Sequence, residues 1–172
     1  RYPLAELIVH PRVLKEGYGG TPHWEAFGQT LAQAPFPVTY NGDIFSLGDL
    51  DAFRRAFPDA ERVMLGRGIV ANPALGRMAK GGPAATIDEF KRFHDLLFQG
   101  YEEEIGNNAV FRMKEWWSYA MYAFEEPLSI WCAVRKVKKV ENYMATAAAI
   151  FAQVQLVDEP SYRRREGYEH NA

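Results

Sequence analysis

Three short apolar runs, spaced at a regular interval, constrain the fold of this chain more than any other feature of its sequence. The runs begin at Glu6 (ELIVH), Phe36 (FPVTYNG) and Arg62 (RVMLGRG), at intervals of roughly 30 residues, the length of one strand–helix–strand unit. Their central residues are apolar throughout rather than alternating with polar ones, which is typical of a parallel strand covered by helices on both faces. The first half of the chain is therefore predicted to form parallel βα units.

The segments between these runs have the signals of helices. Residues 24–34 have helical composition, and Ser46 with Asp49 predicts a capped helix that runs to about Phe57. Pro73 is expected in the first turn of a short helix that ends before Gly81.

The second half of the chain changes character at the glycine- and proline-rich segment 80–86, KGGPAAT. Thr86 and Glu89 form the pattern of a capping box, and helical periodicity then predicts four helices near residues 87–105, 110–124, 130–140 and 143–154. The predicted fold class is α/β plus α, with domains at 1–83 and 84–157 and a flexible tail at 158–172.

Composition limits the kinds of partner and compartment. The 172-residue chain has a net charge of -2, so contact with nucleic acid requires a local basic patch rather than a global field. The single cysteine, Cys132, excludes an internal disulfide and fits a cytoplasmic protein. No apolar run is long enough to cross a membrane, and no metal-ligand spacing is present.

Polar or glycine-marked groups follow each of the three predicted strands. They are His10-Pro11-Arg12, Asn41-Gly42-Asp43 and Gly66-Arg67-Gly68. Each group alone is more simply explained as a turn, but ligands bind outside the carboxyl ends of parallel strands, so the three together indicate a ligand site. Glycines admit backbone N–H groups to an anion, and an arginine can bind phosphate oxygens with two donors. The predicted ligand therefore carries a phosphate.

Two members of this set have alternative interpretations. Asp43 repels phosphate and is expected to cap a helix or to accept from a backbone N–H. His10 is either a structural residue or a donor to a heterocycle or a phosphate, with Arg12 on the same side of the strand. Elsewhere, His94 is expected in a helical core, and Cys132 is expected to pack among apolar neighbours.

The strongest cationic cluster is predicted on a helix, with Val134 and Val137 facing inward. Its basic residues are Arg135, Lys136, Lys138 and Lys139, and Lys114 and the triplet 163–165 are possible additions. A solvated helix face is the simpler interpretation, and contact with RNA phosphates is the alternative.

The segments LIVHPR, PVTYNGDIFS and RVMLGRGIVANPAL, followed by a helical domain, resemble the carboxyl-terminal half of the tRNA-dihydrouridine synthases. These are flavin enzymes with an FMN-binding (β/α)₈ TIM barrel and a helical tRNA-binding domain. The resemblance implies that the chain holds the last βα units of such a barrel and a carboxyl-terminal helical bundle. It also implies reduction of uridine in tRNA by hydride transfer from FMN, with NADPH as the reductant.

The resemblance also implies roles for individual residues. The implied FMN-binding set is His10, Arg12, Asn41, Gly42, Asp43, Gly66, Arg67 and Gly68, and the implied tRNA-binding set is Lys114, Arg135, Lys136, Lys138 and Lys139.

The sequence departs from the family in one important respect. The family's catalytic cysteine and its flavin-contacting lysine lie in the amino-terminal half of the barrel, which these segments do not match. We therefore expect a fragment that is inactive alone and self-associates through an open half-barrel. Two alternatives also fit the sequence: another FMN-dependent barrel reductase acting on a small molecule, and a non-catalytic RNA-binding module.

Overall fold

A computed structural model describes residues 3–17 and 20–162 of the chain. The chain divides into two compact units, Arg1–Gly66 and Arg67–Ala172. The first unit contains β1 (Leu7–Val9), α1 (Trp24–Gln33), β2 (Val38–Tyr40), α2 (Leu47–Ala56) and β3 (Arg62–Val63), with a 3₁₀ turn at Leu14–Glu16. The second unit is helical in its described part, with α3 (Arg67–Ala71), α4 (Leu75–Met78), α5 (Ile87–Ile105), α6 (Ala109–Ala120), α7 (Pro127–Val134) and α8 (Val140–Phe151).

The three strands form one parallel sheet in the order β1-β2-β3, as the spacing of the apolar runs predicts. Leu7 lies opposite Val38, and Tyr40 lies opposite both Val9 and Val63. The predicted α/β plus α class is therefore confirmed. The third strand is shorter than expected, because the run predicted to extend to Gly68 instead turns at Gly66 and begins α3 at Arg67.

An aromatic cluster holds the helices of the first unit against β2. The ring of Tyr40 stacks on Phe53 with centroids 4.2 Å apart, and Phe27 packs edge-on against Tyr40 at 5.0 Å. Phe27 and Phe53 are fully buried, and the Trp24 indole N–H donates to the Tyr40 hydroxyl at 2.9 Å. The carboxyl end of β2 is thus fixed by packing from both α1 and α2.

Both predicted capping boxes are present. The Asp49 backbone N–H donates to the Ser46 hydroxyl at the start of α2, and the Glu89 N–H donates to the Thr86 hydroxyl at the start of α5. Each acidic side chain accepts from the backbone N–H of its cap residue. These local bonds satisfy donors that the first helical turn leaves unpaired.

The segment predicted as a domain linker is held in place by Arg77. Its guanidinium donates to the backbone carbonyls of Pro83 and Ala84 and to both carboxylate oxygens of Glu89, at 2.7 and 2.8 Å. This bond with Arg77 lowers the pKa of Glu89 to about 2. The compact second unit begins before this segment, at Arg67, whereas the domain boundary at residue 83 stays a prediction.

Two expectations for the helical unit are wrong. The basic cluster 135–139 lies in the loop between α7 and α8, because α7 ends at Val134 and Lys139 has an extended backbone as the cap of α8. Cys132 is exposed rather than packed, because α7 buries Ile130 and Val134 and helical spacing turns position 132 away from them. The triplet 163–165, His170 and most of the predicted tail lie outside the described residues.

The core of the helical unit contains a hydrogen-bonded polar chain. His94, which is fully buried as predicted, contacts the Tyr143 hydroxyl through Nε2 at 2.6 Å and Asp95 through Nδ1 at 2.9 Å. A carboxylate accepts only, so Nδ1 carries the proton and the neutral ring accepts the Tyr143 proton at Nε2. The Tyr143 oxygen also accepts from the Trp117 indole N–H at 2.9 Å. Within the described residues, no helix has both the length and the apolar character to cross a membrane.

We predict that the helical unit loses stability in mild acid because of His94. Burial lowers the pKa of His94 below its ordinary value of 6.5, although Asp95 opposes this shift. The unfolded chain therefore binds a proton at a higher pH than the folded chain, and the free energy of unfolding falls as the pH drops below about 6.5. Urea unfolding followed between pH 7.5 and 5 measures this slope. His94→Gln should reduce the slope, and equal slopes in the variant and the unmodified chain would contradict the prediction.

Candidate functional site

The carboxyl ends of the three strands meet at Asn41 in the first unit. The Asn41 backbone N–H donates to the Val9 carbonyl at 2.9 Å, and its side-chain amide donates to the Met64 carbonyl at 3.0 Å. The Met64 N–H in turn donates to the Tyr40 carbonyl at 2.7 Å. One residue therefore connects the loop after β2 to the ends of both neighbouring strands.

His10 lies beside Asn41, as the pattern of strand ends predicts. Its Nδ1 is 2.6 Å from the Asn41 carbonyl oxygen, and the imidazole is exposed. A carbonyl only accepts, so Nδ1 carries a proton and Nε2 of the neutral ring is left as an acceptor. Nε2 can therefore receive a hydrogen bond from a ring N–H of a ligand, and it can donate to an anion only when the imidazole is protonated.

Arg12 and Asp43 form an ion pair that joins the loop after β1 to the loop after β2. The Arg12 side chain is 3% exposed and also donates to the Gly17 carbonyl at 3.3 Å, and Asp43 is 17% exposed. The buried Nε of Arg12 has no acceptor within the described part of the chain. The guanidinium charge is thus largely balanced inside the protein, while one buried donor is left over.

Gly42 is required by its neighbour Tyr40. A Cβ at position 42 would lie 2.0 Å from the Tyr40 hydroxyl oxygen, a distance that no packing tolerates. Burial raises the pKa of Tyr40, so the hydroxyl stays neutral while it accepts from Trp24. Sequence reasoning assigned Gly42 to an approaching anion and missed Tyr40, because Gly42 lies in the bend after β2, where strand periodicity no longer predicts which residues meet.

The third predicted group, Gly66-Arg67-Gly68, is divided between the two units. Gly66 ends the first unit, and a Cβ built there meets nothing within 4 Å, so the space on the Cβ side of this residue is open. Arg67 and Gly68 begin α3 in the second unit. The Arg67 guanidinium lies 5.6 Å from the centre of the Tyr162 ring, and the buried Gly68 carbonyl accepts from the Asn72 N–H at 2.9 Å.

The residues predicted to bind tRNA lie in the helical unit. The four basic residues of the α7–α8 loop are all exposed, whereas Lys114 is half-buried on α6. Among the residues that the structure describes, no cluster of histidine, cysteine and carboxylate side chains is suited to hold a metal ion.

Comparison with known proteins identifies the relatives of this chain. The family profile described as dihydrouridine synthase (Dus) matches residues 4–153. The chain belongs to the dihydrouridine synthase family. A tRNA-dihydrouridine(16) synthase of Neisseria meningitidis serogroup A is 33% identical over 144 residues, which cover 79% of this chain and 43% of the relative.

Two further relatives agree. A tRNA-dihydrouridine(16) synthase of Neisseria meningitidis serogroup B is 33% identical over 150 residues, covering 81% of this chain and 45% of the relative. The tRNA-dihydrouridine(16) synthase of Pseudomonas putida is 30% identical over 139 residues, which cover 77% of this chain and 43% of the relative. This dihydrouridine synthase family chain thus spans a little under half the length of these curated relatives.

We predict that replacement by alanine lowers the stability of the chain at Gly42 and leaves it nearly unchanged at Gly66. Gly42→Ala should lower the free energy of unfolding by about 1–3 kcal/mol, because the buried Tyr40 ring has no room to retreat from the new methyl group. Gly66→Ala should change it by less than about 0.5 kcal/mol, because its methyl group enters open space. Urea unfolding of the two variants and the unmodified chain measures both effects, and similar losses in both variants would contradict the packing argument.

Proposed function

We propose that this chain supplies part of the flavin site and the RNA-binding surface of a tRNA-dihydrouridine synthase. The observation that carries the proposal is the family match over residues 4–153 together with the convergence of the strand ends at Asn41. In this proposal the three parallel strands belong to a (β/α)₈ barrel, whose ligands bind at the carboxyl ends of the strands. In the same proposal the substrate is a uridine in tRNA and the activity is cytoplasmic.

The residues at the strand ends fit a flavin phosphate and ring in part. Bound FMN would supply hydride transfer to the uridine C5–C6 double bond, with NADPH as the source of electrons. The open backbone at Gly66 suits a phosphate oxygen, and Arg67 and Gly68 follow it at the first turn of α3. His10 offers Nε2 as an acceptor toward the flavin ring system or, when protonated, as a donor to an anion.

The remaining members of the predicted flavin set act through position rather than charge. Arg12 and Asp43 neutralise each other, so their pair orients the two loops, and the unsatisfied Arg12 Nε is the donor that a ligand oxygen would complete. Asn41 fixes the three strand ends, and Gly42 leaves room for the Tyr40 hydroxyl. We assign Asn41 and Gly42 to the frame of the flavin site.

We propose no residue of this chain as the donor of the proton that completes uridine reduction. Its single cysteine, Cys132, is exposed on α7 in the helical unit. We therefore expect the chain alone to bind flavin weakly and to show no turnover.

The RNA-binding part of the proposal rests on the α7–α8 loop. Arg135, Lys136, Lys138 and Lys139 are exposed within five consecutive positions, which concentrates positive charge on a chain whose net charge is -2. Exposed Lys and Arg side chains bind the phosphate backbone without regard to base sequence. A loop, unlike the helix expected from the sequence, lets these four side chains adapt to a curved RNA surface.

We predict that Gly66→Ala weakens FMN binding by roughly tenfold, because its methyl group stands where a phosphate oxygen must approach the backbone, a loss of about 1.4 kcal/mol. Quenching of flavin fluorescence during titration of the chain with FMN measures the affinity, and inorganic phosphate should compete. Gly100→Ala is the matched control, since a Cβ at this α5 glycine also meets nothing within 4 Å. Equal affinities in both variants would remove Gly66 from the flavin site.

We predict that tRNA binding weakens steeply with salt and that the α7–α8 loop contributes to this dependence. Arg135→Gln/Lys136→Gln should lower the slope of log affinity against log salt by about one to two, because each phosphate contact releases counterions. Arg55→Gln/Lys80→Gln removes the same charge from exposed positions elsewhere and is the control. Gel-shift titrations between 50 and 200 mM salt, roughly the range in which such complexes weaken, give the slopes; identical slopes in the two double variants would exclude the loop.

A further inference from the structure

The helical unit contains a groove of which the proposed function uses only Arg67. It lies between α3, α5 and α6 and has a volume of about 660 Å³, within the ~300–1,000 Å³ typical of small-ligand sites. Four aromatic rings and two guanidinium groups line it, namely Phe93, Tyr101, Trp116, Tyr119, Arg67 and Arg112. Every one of these residues belongs to the second unit, so the groove is a feature of that unit alone.

The aromatic wall of the groove is rigid and accessible. Trp116 is 5% exposed and is packed against Trp117, at a centroid distance of 4.8 Å, and against the buried His94 at 5.6 Å. Phe93 lies 6.1 Å from Trp116 and keeps 37% of its surface exposed. A planar ligand can therefore stack on the exposed ring of Phe93, whose inner neighbour Trp116 is already held by the core, so that little conformational entropy is lost on binding.

A cation stands beside these rings. Arg112 is on α6, and its guanidinium contacts Glu115 at 3.1 Å in a pair whose two side chains are 57% and 60% exposed. Exposed ion pairs of this kind stabilise a protein by only about 0–1 kcal/mol, so Arg112 can exchange its carboxylate partner for a phosphate. A stacking surface next to an exchangeable cation matches the base and phosphate of a nucleotide, whereas an aliphatic peptide or a lipid tail matches only the apolar part.

The groove wall also contains an unsatisfied donor. The indole Nε1 of Trp116 is buried and has no acceptor among the described residues. Such an unsatisfied donor costs about 1–3 kcal/mol. The indole N–H groups of Trp24 and Trp117, in contrast, each donate to a tyrosine hydroxyl. This donor lies in the wall of the groove, behind the exposed ring of Phe93.

We propose that the groove between α3, α5 and α6 binds one unpaired nucleotide of the RNA substrate, with its base against the exposed ring of Phe93, which Trp116 supports from the core, and its phosphate at Arg112. This inference rests on the proposed function, which makes RNA the partner. It differs from the role of the α7–α8 loop, because the loop contacts the backbone of any RNA, whereas the groove requires a base that is free to leave the stack.

The proposal is tested on the full chain with a tRNA transcript and with a ten-nucleotide single-stranded RNA of mixed sequence. Phe93→Leu should weaken binding of both RNAs about tenfold with no change in the salt slope, because stacking is lost and no charge is removed. Arg112→Gln should weaken binding and lower the salt slope. Two matched controls lie outside the groove lining, Phe111→Leu on α6 and Arg92→Gln on α5, and both should bind RNA like the unmodified chain.

Fluorescence gives a second measurement that does not depend on the stability of the Phe93 variant. Single-stranded RNA should quench the tryptophan emission of the unmodified chain, Trp116→Phe should lose this quenching, and ribose 5-phosphate, which has no base, should not cause it. Equal RNA binding by Phe93→Leu and Phe111→Leu, or quenching by ribose 5-phosphate, would overturn the proposal. If the groove variants bind normally while Arg135→Gln/Lys136→Gln does not, the proposed function stands and the nucleotide site alone is rejected. If the unmodified chain binds neither RNA, both fail.

Discussion

The parallel register of three short strands is the constraint on which the candidate flavin site depends. Tyr40 lies opposite Val9 and Val63, so the chain leaves all three strands at the same edge of the sheet. Asn41 then bonds to both neighbours of β2, which brings His10 within 2.6 Å of its carbonyl oxygen. A shift of one residue in this register would turn every side chain of β2 to the opposite face and separate the loops.

Charge balance at this edge changes the role expected of its arginine. Arg12 is nearly buried, and a buried guanidinium that lost Asp43 would be left without its counter-charge, at a cost of about 3–5 kcal/mol. The pair therefore holds the two loops together and contributes little net charge to an incoming anion. In the proposed flavin site, phosphate recognition falls instead on Gly66, where a Cβ would meet nothing within 4 Å and no side chain covers the backbone.

We propose that two surfaces of the helical unit contact different parts of an RNA. The α7–α8 loop concentrates exposed cations, and the groove between α3, α5 and α6 presents rings held by the core. The hydrogen-bonded chain from Asp95 through His94 to Tyr143 connects α5 to α8, and Trp117 adds α6. This network therefore holds α5 and α6, which line the groove, and α8, which follows the basic loop. We expect protonation of His94 to affect the groove and the loop alike.

Local patterns in the sequence determined much of this protein. The spacing of the apolar runs identified three parallel strands, Ser46 and Thr86 marked two capped helices, and the motifs around His10, Asn41 and Gly66 indicated the family before the profile match confirmed it. These features depend on residues a few positions apart, whose interactions follow from the geometry of one strand or one helical turn.

Only the tertiary structure decided which residues meet across long separations in the chain. Arg12 and Asp43 are 31 residues apart, as are His10 and Asn41, and no local spacing encodes either contact. Glycine is needed at position 42 because packing places the Tyr40 ring beside it. Residues 135–139 form a loop because α7 ends at Val134. Strand ends can be located from the sequence because periodicity is local, whereas partners, burial and unsatisfied donors depend on packing between elements.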